Sequence, residues 1–420
     1  MKTNNKILSI SIAAYNVEKY LDETLASLLC EAEMLEKLDV IIVDDGSADC
    51  SAQIAQKYVD LYPGSFRLVK KQNGGHGSTL NTSVPLAEGK YFKMLDGDDW
   101  FDGTQLEELV NTLEQSEEDV ILSPYQRVYQ ESHGSELVNR HHMDAGRSYK
   151  SPEVFEGVLE EIHAAELTVR TEILQNKTFH ITEKCAFTDD EYVFTTILYA
   201  TTYKKILNTV YQYRIGVEGQ TISDQGRRAH WLDAGRVAVS MLHRLSEEKM
   251  STEVSQKVPF LYRFIHRTAD FQCRNFIYAE NMKICEEEFF RFSNTMETID
   301  REFEKYLTDT SENYDWWKWI FSVCHQNKKD KFILFGAGRY GERIYRCLHD
   351  NHIEICGIVD NNEIQWGKEK WGMPISAPQL LKRQWTDGKV IVAVKNQSQE
   401  IVNQLRELGI SEDRIISFGK

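Results

Sequence analysis

Two short apolar runs, DVIIVDD at 39–45 and KYFKMLDGDD at 90–99, each stop on consecutive carboxylates, and this feature constrains the fold more than any other. Short, mostly apolar runs of this kind read as buried strands. ILSISIAAY at 7–15 reads the same way, and Phe66–Val69 and Val120–Leu122 supply further strands. Between them, Leu21, Leu25, Leu28, Leu29 and Ala32 recur at helical spacing. Ile54, Tyr58 and Leu61 share one helical face, which Ser47 and Asp49 cap and Pro63 and Gly64 stop. Such alternation implies an α/β fold, a mostly parallel sheet flanked by helices, with ligands at the carboxyl ends of the strands. Asp44, Asp45, Asp96, Asp98 and Asp99 all fall at such ends. With Asp102 close by, these acids repel one another, and a divalent cation relieves the repulsion. Oxygen ligands suit Mg²⁺ or Mn²⁺, which take one or two carboxylates beside substrate phosphates.

At 420 residues with 41% apolar content, the chain is long enough for two or three domains with their own cores. The net charge of -16 argues against a general nucleic-acid binder, which needs a basic face. The eight cysteines show no CxxC or zinc-type spacing and read as reduced thiols of a cytoplasmic protein. No apolar run reaches the roughly 18 residues of a membrane span. The expected location is the cytoplasm, compatible with a peripheral visit to the inner face of the membrane and with a homo-oligomer.

Past residue 225 the pattern changes to long helical stretches, from His230 through Trp319, in which Phe260, Phe264, Phe271 and Tyr278 read as packing positions. At 331–348, KFILFGAGRYGERIYRCL starts a new strand, glycine turn and helix, followed by strands at Ile355–Val359 and Val390–Val394. The expected division is therefore 1–225, an α/β domain; 226–328, a helical connecting region; and 329–420, a small Rossmann-like domain. In the last, Gly336, Gly338 and Gly341 form GxGxxG directly after FILF, and Asp360 ends the next strand. Amides that hold a pyrophosphate and an acid that holds a ribose hydroxyl would make this a nucleotide-binding unit. A structural or assembly role fits the same residues.

Taken in order, SIAAYN, VIIVDDGSAD, NGGHGSTLN and DGDDWF resemble the family 2 glycosyltransferases, inverting enzymes of the GT-A fold, over about residues 6–225. The resemblance implies a nucleotide-sugar donor, most often UDP-linked, and a glycan or lipid-linked acceptor. It implies that Ala13 and Tyr15 border the nucleotide, that Asp45 accepts from the uracil imide, and that Asp98 and Asp99, headed by Asp96, bind the metal. His76 becomes a candidate for phosphate or sugar contact. Asn81 stands at the family's asparagine, although the arginine of the ARN form is absent. For the base that takes the acceptor proton, CAFTDDEYVF offers Asp189 or Asp190, both of which could instead cap the helix. YQYRIGVEGQTIS, 211–223, resembles a stretch in which Arg214, Gln220 and Thr221 close over diphosphate or acceptor. His163 is a further candidate at the acceptor. The rival readings are a catalytically silent nucleotide or nucleotide-sugar sensor acting through the C-terminal unit, and an NAD-dependent oxidoreductase built around Gly336.

Overall fold

A computed structural model of the chain describes residues 5–155, 162–175, 179–217, 220–221, 223–384, 387–394 and 398–419. It divides into two compact units, Met1–Ala269 and Asp270–Lys420. The helical stretch expected at 226–328 is thus shared between them.

In chain order the strands of the first unit are β1 (Leu8–Ala14), β2 (Leu38–Asp44), β3 (Phe66–Lys70), β4 (Tyr91–Asp96), β5 (Trp100–Phe101), β6 (Val120–Leu122), β7 (Tyr125–Tyr129), β8 (Ser135–Val138), β9 (Ser148–Lys150), β10 (Leu167–Arg170), β11 (Thr202–Lys205) and β12 (Tyr211–Ile215). The large sheet runs β3-β2-β1-β4-β10-β6-β11-β9, and a small one runs β5-β12-β7-β8. The expected α/β architecture is present. β1 to β4 are parallel, and β2 is buried at every position, as its unbroken apolar run requires. β10 enters antiparallel between β4 and β6.

Register brings the acids together. Ala13 lies beside Asp96 and Ala14 beside Asp44, and the Gly97 N–H donates to Ala13 O at 3.1 Å, which carries the β4 turn over the end of β1.

Three local expectations change. The helix read through Ala32 stops at Ala26 and resumes as a second helix, Ala32–Glu36. At the break the Ser27 hydroxyl donates to Thr24 O at 2.7 Å and accepts the Phe101 N–H at 3.1 Å, a side-chain bonding that competes with helix propagation. Ser47 does not cap the helix Ser51–Leu61; its hydroxyl accepts the Asn16 N–H, while Asp49 takes the Ser51 N–H. Asp102, counted above among the crowded acids, is the N-cap of the helix Gly103–Gln115 and accepts from Gln105 N–H at 3.1 Å.

In the second unit three helices, Met282–Ile299, Arg301–Thr310 and Glu312–Gln326, pack around Trp317, whose Nε1 donates to Cys273 O at 2.7 Å. The chain then forms β13 (Lys331–Phe335), β14 (Glu354–Val359), β15 (Glu369–Lys370), β16 (Met373–Ser376), β17 (Lys389–Val392) and β18 (Ile415–Ser417). Their order is β15-β16-β14-β13-β17-β18, parallel except for β15. Gly336 ends β13 at φ +112, and a Cβ on Gly341 would sit 2.1 Å from Gly336 O. The glycine spacing therefore lets the helix Arg339–Asp350 start against the turn. No helix among the described residues is long and apolar enough to cross a membrane.

Candidate active site

The end of β4 presents three carboxylates in three different environments. Asp99 is buried and faces inward: Oδ2 accepts the Tyr211 hydroxyl and Oδ1 the Arg214 N–H, each at 2.7 Å. These bonds fasten the small sheet to the acidic turn. Burial, followed by the charges of Asp96 and Asp98, pushes the Asp99 carboxyl well above the usual range. Asp98 is half-buried, and its carboxylate has no hydrogen-bond or ion-pair partner among the described residues. Burial and the neighbouring Asp96 push it up to about 6. Asp96 behaves oppositely. Burial opposes its ionisation too, but His76 outweighs that and holds the carboxyl below the ordinary value.

His76 spans two elements. Its Nε2 lies 3.5 Å from Asp96 and its Nδ1 3.0 Å from the Thr188 hydroxyl. Burial lowers its pKa, but the hydrogen bond and charge of Asp96 more than reverse this. The imidazole thus joins the end of β4 to the first turn of the helix Thr188–Tyr199, where both base candidates lie.

The NGGHG loop is clasped from below. The Asp45 carboxylate accepts from Gly74 N–H at 2.9 Å, Gly75 N–H at 2.8 Å, Lys71 Nζ at 2.7 Å and the Ser78 hydroxyl at 3.3 Å. The acid expected to meet a nucleobase is thereby engaged by its own loop. Asn81 likewise bonds inward, donating to Ile181 O and accepting Ile181 N–H, which braces the segment before the base helix. Ala13 and Tyr15 remain at the end of β1, with Tyr15 52% exposed.

Asp189 and Asp190 separate clearly. Asp190 accepts from Arg267 Nη2 at 2.6 Å and the Thr268 hydroxyl at 2.9 Å. Asp189 has no hydrogen-bond or ion-pair partner among the described residues, and its charge is felt by His76. The approach to it is set by Phe187 in the left-handed region (φ 62) and by the Ala186 N–H bonded to Asp233 at 2.9 Å. His163 caps a short turn through Ala165 N–H and stacks on Tyr125 at 5.1 Å, so its ring forms part of a wall.

Arg214 departs from expectation. The residue is 6% exposed, and its guanidinium donates to Asp98 O and to Glu23, each at 2.7 Å, and lies over Trp100 at 4.4 Å. Its hydrogen bonds pin the acidic turn. Gln220 bonds Arg214 O and Gly216 N–H, which fixes the turn after β12; residues 218, 219 and 222 of this segment lie outside the described residues. Arg214→Gln is accordingly expected to destabilise the unit by about 2–3 kcal/mol, through loss of charged hydrogen bonds, as read by thermal melting. A variant with unchanged melting and a raised donor KM would sink this account of Arg214.

Residues 9–188 match the glycosyl transferase family 2 profile. This stretch of the chain belongs to glycosyl transferase family 2. The chain is similar to the minor teichoic acid biosynthesis protein GgaB of Bacillus subtilis, 34% identical over 29% of this chain and 14% of that protein. It is also similar to the uncharacterized glycosyltransferase EpsJ of B. subtilis, 30% identical over 36% of this chain and 42% of that protein. The putative glycosyltransferase EpsH of B. subtilis is 25% identical over 50% of this chain and 60% of that protein. The chain thus spans from about a seventh to three fifths of these curated relatives. Staphylococcus aureus TarS 1–349, solved in complex with UDP-GlcNAc, shares the fold with a TM-score of 0.57 and 17% identity, over 76% of this chain and 92% of that one. The GT-A expectation for the first unit is met.

Two further residues of the site carry a signal in the sequence. Thr188 immediately precedes the acid pair, and Tyr211 opens the YQYR stretch; both hydroxyls bond site side chains. Lys71, Glu23 and Arg267 carry no local signal, because their partners are distant in sequence. Among the described residues no three Asp, Glu, His or Cys side chains form a ready-made cation site. The donor set still fits a hard divalent cation: among the described residues Asp98 has no hydrogen-bond or ion-pair partner, and the Asp96 carboxylate meets only His76 and, at 3.4 Å, the Tyr211 hydroxyl. Asp99 is committed to β12.

Residues 328–416 match a second profile, C2185-like, N-terminal. Here Asp360 turns to its own backbone: Oδ2 accepts Ala337 N–H at 2.7 Å and Oδ1 accepts Asn362 N–H at 2.8 Å. The carboxylate expected to hold a ribose closes the loop between Gly336 and Gly338.

Proposed function

We propose that the chain is an inverting glycosyltransferase that moves a sugar from a nucleotide donor, taken to be a UDP-sugar, to a hydroxyl of a cell-surface polysaccharide or lipid-linked glycan precursor. One observation carries this reading. Asp189, whose carboxylate has no hydrogen-bond or ion-pair partner among the described residues, sits at the N-terminal turn of a helix that Thr188 and His76 tie to the strand-end acid Asp96. The family 2 match, the teichoic acid relative and the likeness to a protein solved with UDP-GlcNAc support it.

Asp189 takes the proton of the acceptor hydroxyl as its oxygen attacks the anomeric carbon, and the nucleoside diphosphate leaves from the opposite face. Asp190, neutralised by Arg267, holds the helix in place and leaves the base role to Asp189. Asp98, with Asp96, would hold Mg²⁺ or Mn²⁺, which supplies Lewis-acid stabilisation of charge on the leaving diphosphate. His76 keeps Asp96 ionised and oriented.

Calorimetric titration of the whole chain with UDP, with and without Mn²⁺, tests the reading. Binding that requires Mn²⁺ and is lost in Asp98→Asn is the expected result. A folded chain that binds UDP in neither condition overturns the UDP-sugar assignment.

A further inference from the structure

Beside Asp189 the first unit encloses a cavity of about 220 Å³, lined by Tyr125, Arg127, Arg140, His163, Asp190 and Arg267 among others. Its lining carries three guanidiniums, of Arg127, Arg140 and Arg267, and three carboxylates, of Glu166, Asp189 and Asp190. Arg267 is matched by Asp190 at 2.6 Å. Glu166, which also lines the cavity, is buried with the His141 ring 3.4 Å away, and its charge is felt by Lys93 and Lys205 as well. Asp189 is then the one carboxylate of the lining without a counterion among the described residues.

Arg127 is underused. Its guanidinium makes only long bonds, 3.3 Å to the Tyr125 hydroxyl and 3.4 Å to the exposed Glu136, and its Nε is buried without a hydrogen-bond partner. A guanidinium offers five donors in a fixed fork, so most of this capacity is unspent. Arg140, just beyond β8, joins it on the same cavity. In a chain of net charge -16, a hollow whose guanidiniums equal its carboxylates in number departs locally from the prevailing acidity.

We infer that the molecule presented to Asp189 carries, beside its hydroxyl, a phosphate group that Arg127 and Arg140 hold. Guanidinium recognises phosphate bidentately, and the carboxylate repels it, so the ligand is oriented with its hydroxyl toward Asp189 and its anion away. The stacked rings of Tyr125 and His163, with Tyr213 5.5 Å from His163, give the rigid wall that a polyol or sugar phosphate needs. The hydroxyl half of this inference rests on the glycosyltransferase reading; the anion half does not.

The test is calorimetric titration of the whole chain with glycerol 3-phosphate, glycerol and inorganic phosphate, each with and without saturating UDP. Glycerol 3-phosphate should bind more tightly than either other probe, and UDP should not displace it. R127Q/R140Q should weaken it about tenfold or more and keep UDP binding. If that double variant does not melt like the parent, R140Q alone carries the comparison. Unchanged affinity in the variants, or displacement by UDP, overturns the subsite. Inorganic phosphate that binds equally well overturns the pairing of hydroxyl with anion. Loss of UDP binding with arginine-dependent glycerol 3-phosphate binding intact would sink the glycosyltransferase reading and leave the anion subsite standing.

Discussion

Asp189→Asn is expected to lower kcat by about 10²–10⁴-fold, the usual contribution of a positioned general base, while melting temperature and UDP affinity stay near the parent values. The carboxylate makes no hydrogen bond or ion pair among the described residues, so its loss removes no structural contact. The neighbouring acid should behave in reverse. Asp190→Ala leaves Arg267 without its partner and the Thr268 hydroxyl without its acceptor, at a cost of about 1–3 kcal/mol in stability. Single-turnover assays with a UDP-sugar donor, run beside thermal melts, separate the two. If Asp190→Asn were the catalytically dead variant and Asp189→Asn active, the base would have to be reassigned.

Asp98→Asn is expected to make the protein more stable at neutral pH and nearly inactive. The sign follows from linkage. The Asp98 carboxyl is raised to about 6 in the folded chain and is about 4 when unfolded. Between those values the folded state binds more protons, so this group's contribution makes stability fall as pH rises through the window. Asp99, also raised, adds in the same direction; Asp96, lowered, adds stability above its unfolded pKa that is lost on acidification. Replacing Asp98 should recover on the order of 1 kcal/mol at pH 7.5 after allowance for solvent screening, and should cut turnover about 10²-fold or more. Melts between pH 4.5 and 7.5 in the presence of a chelator, on both proteins, read the difference. A variant less stable than the parent at pH 7.5 would contradict the electrostatic strain assigned to the turn.

The strand ends were legible because parallel strands buried on both faces are mostly apolar, so consecutive carboxylates mark where each strand leaves the sheet, even though single polar residues, Asp39 and Lys93, are buried within. β2 and β4 show this directly, stopping at Asp44 and Asp96. Asp102 was legible too and was misread: Asp102-x-x-Gln105 is an N-terminal helix signature, and the residue caps its helix. What could not be read was direction. The motif around Arg214 names the residue, but only the packing of β12 on the β4 turn shows its guanidinium turned inward to Glu23 and Asp98. The difference in surroundings between Asp189 and Asp190 was illegible for the same reason, since Arg267, the partner of Asp190, lies 77 residues further along the chain and leaves no local trace. Asp360 has the position of a ribose-binding acid in sequence, yet its bonds go to Ala337 and Asn362.

The clasp formed by Asp45 has a thermodynamic consequence. A carboxylate has about four acceptor sites, and this one already serves two amides, a hydroxyl and an ammonium. A nucleobase imide that arrives there does not gain a hydrogen bond; it exchanges for one. Exchange of like for like leaves little net enthalpy, so selectivity among pyrimidine and purine donors through this residue would be shallow. Discrimination would then have to come from shape and from the diphosphate and sugar, and a donor with a foreign base would be handicapped mainly by its fit.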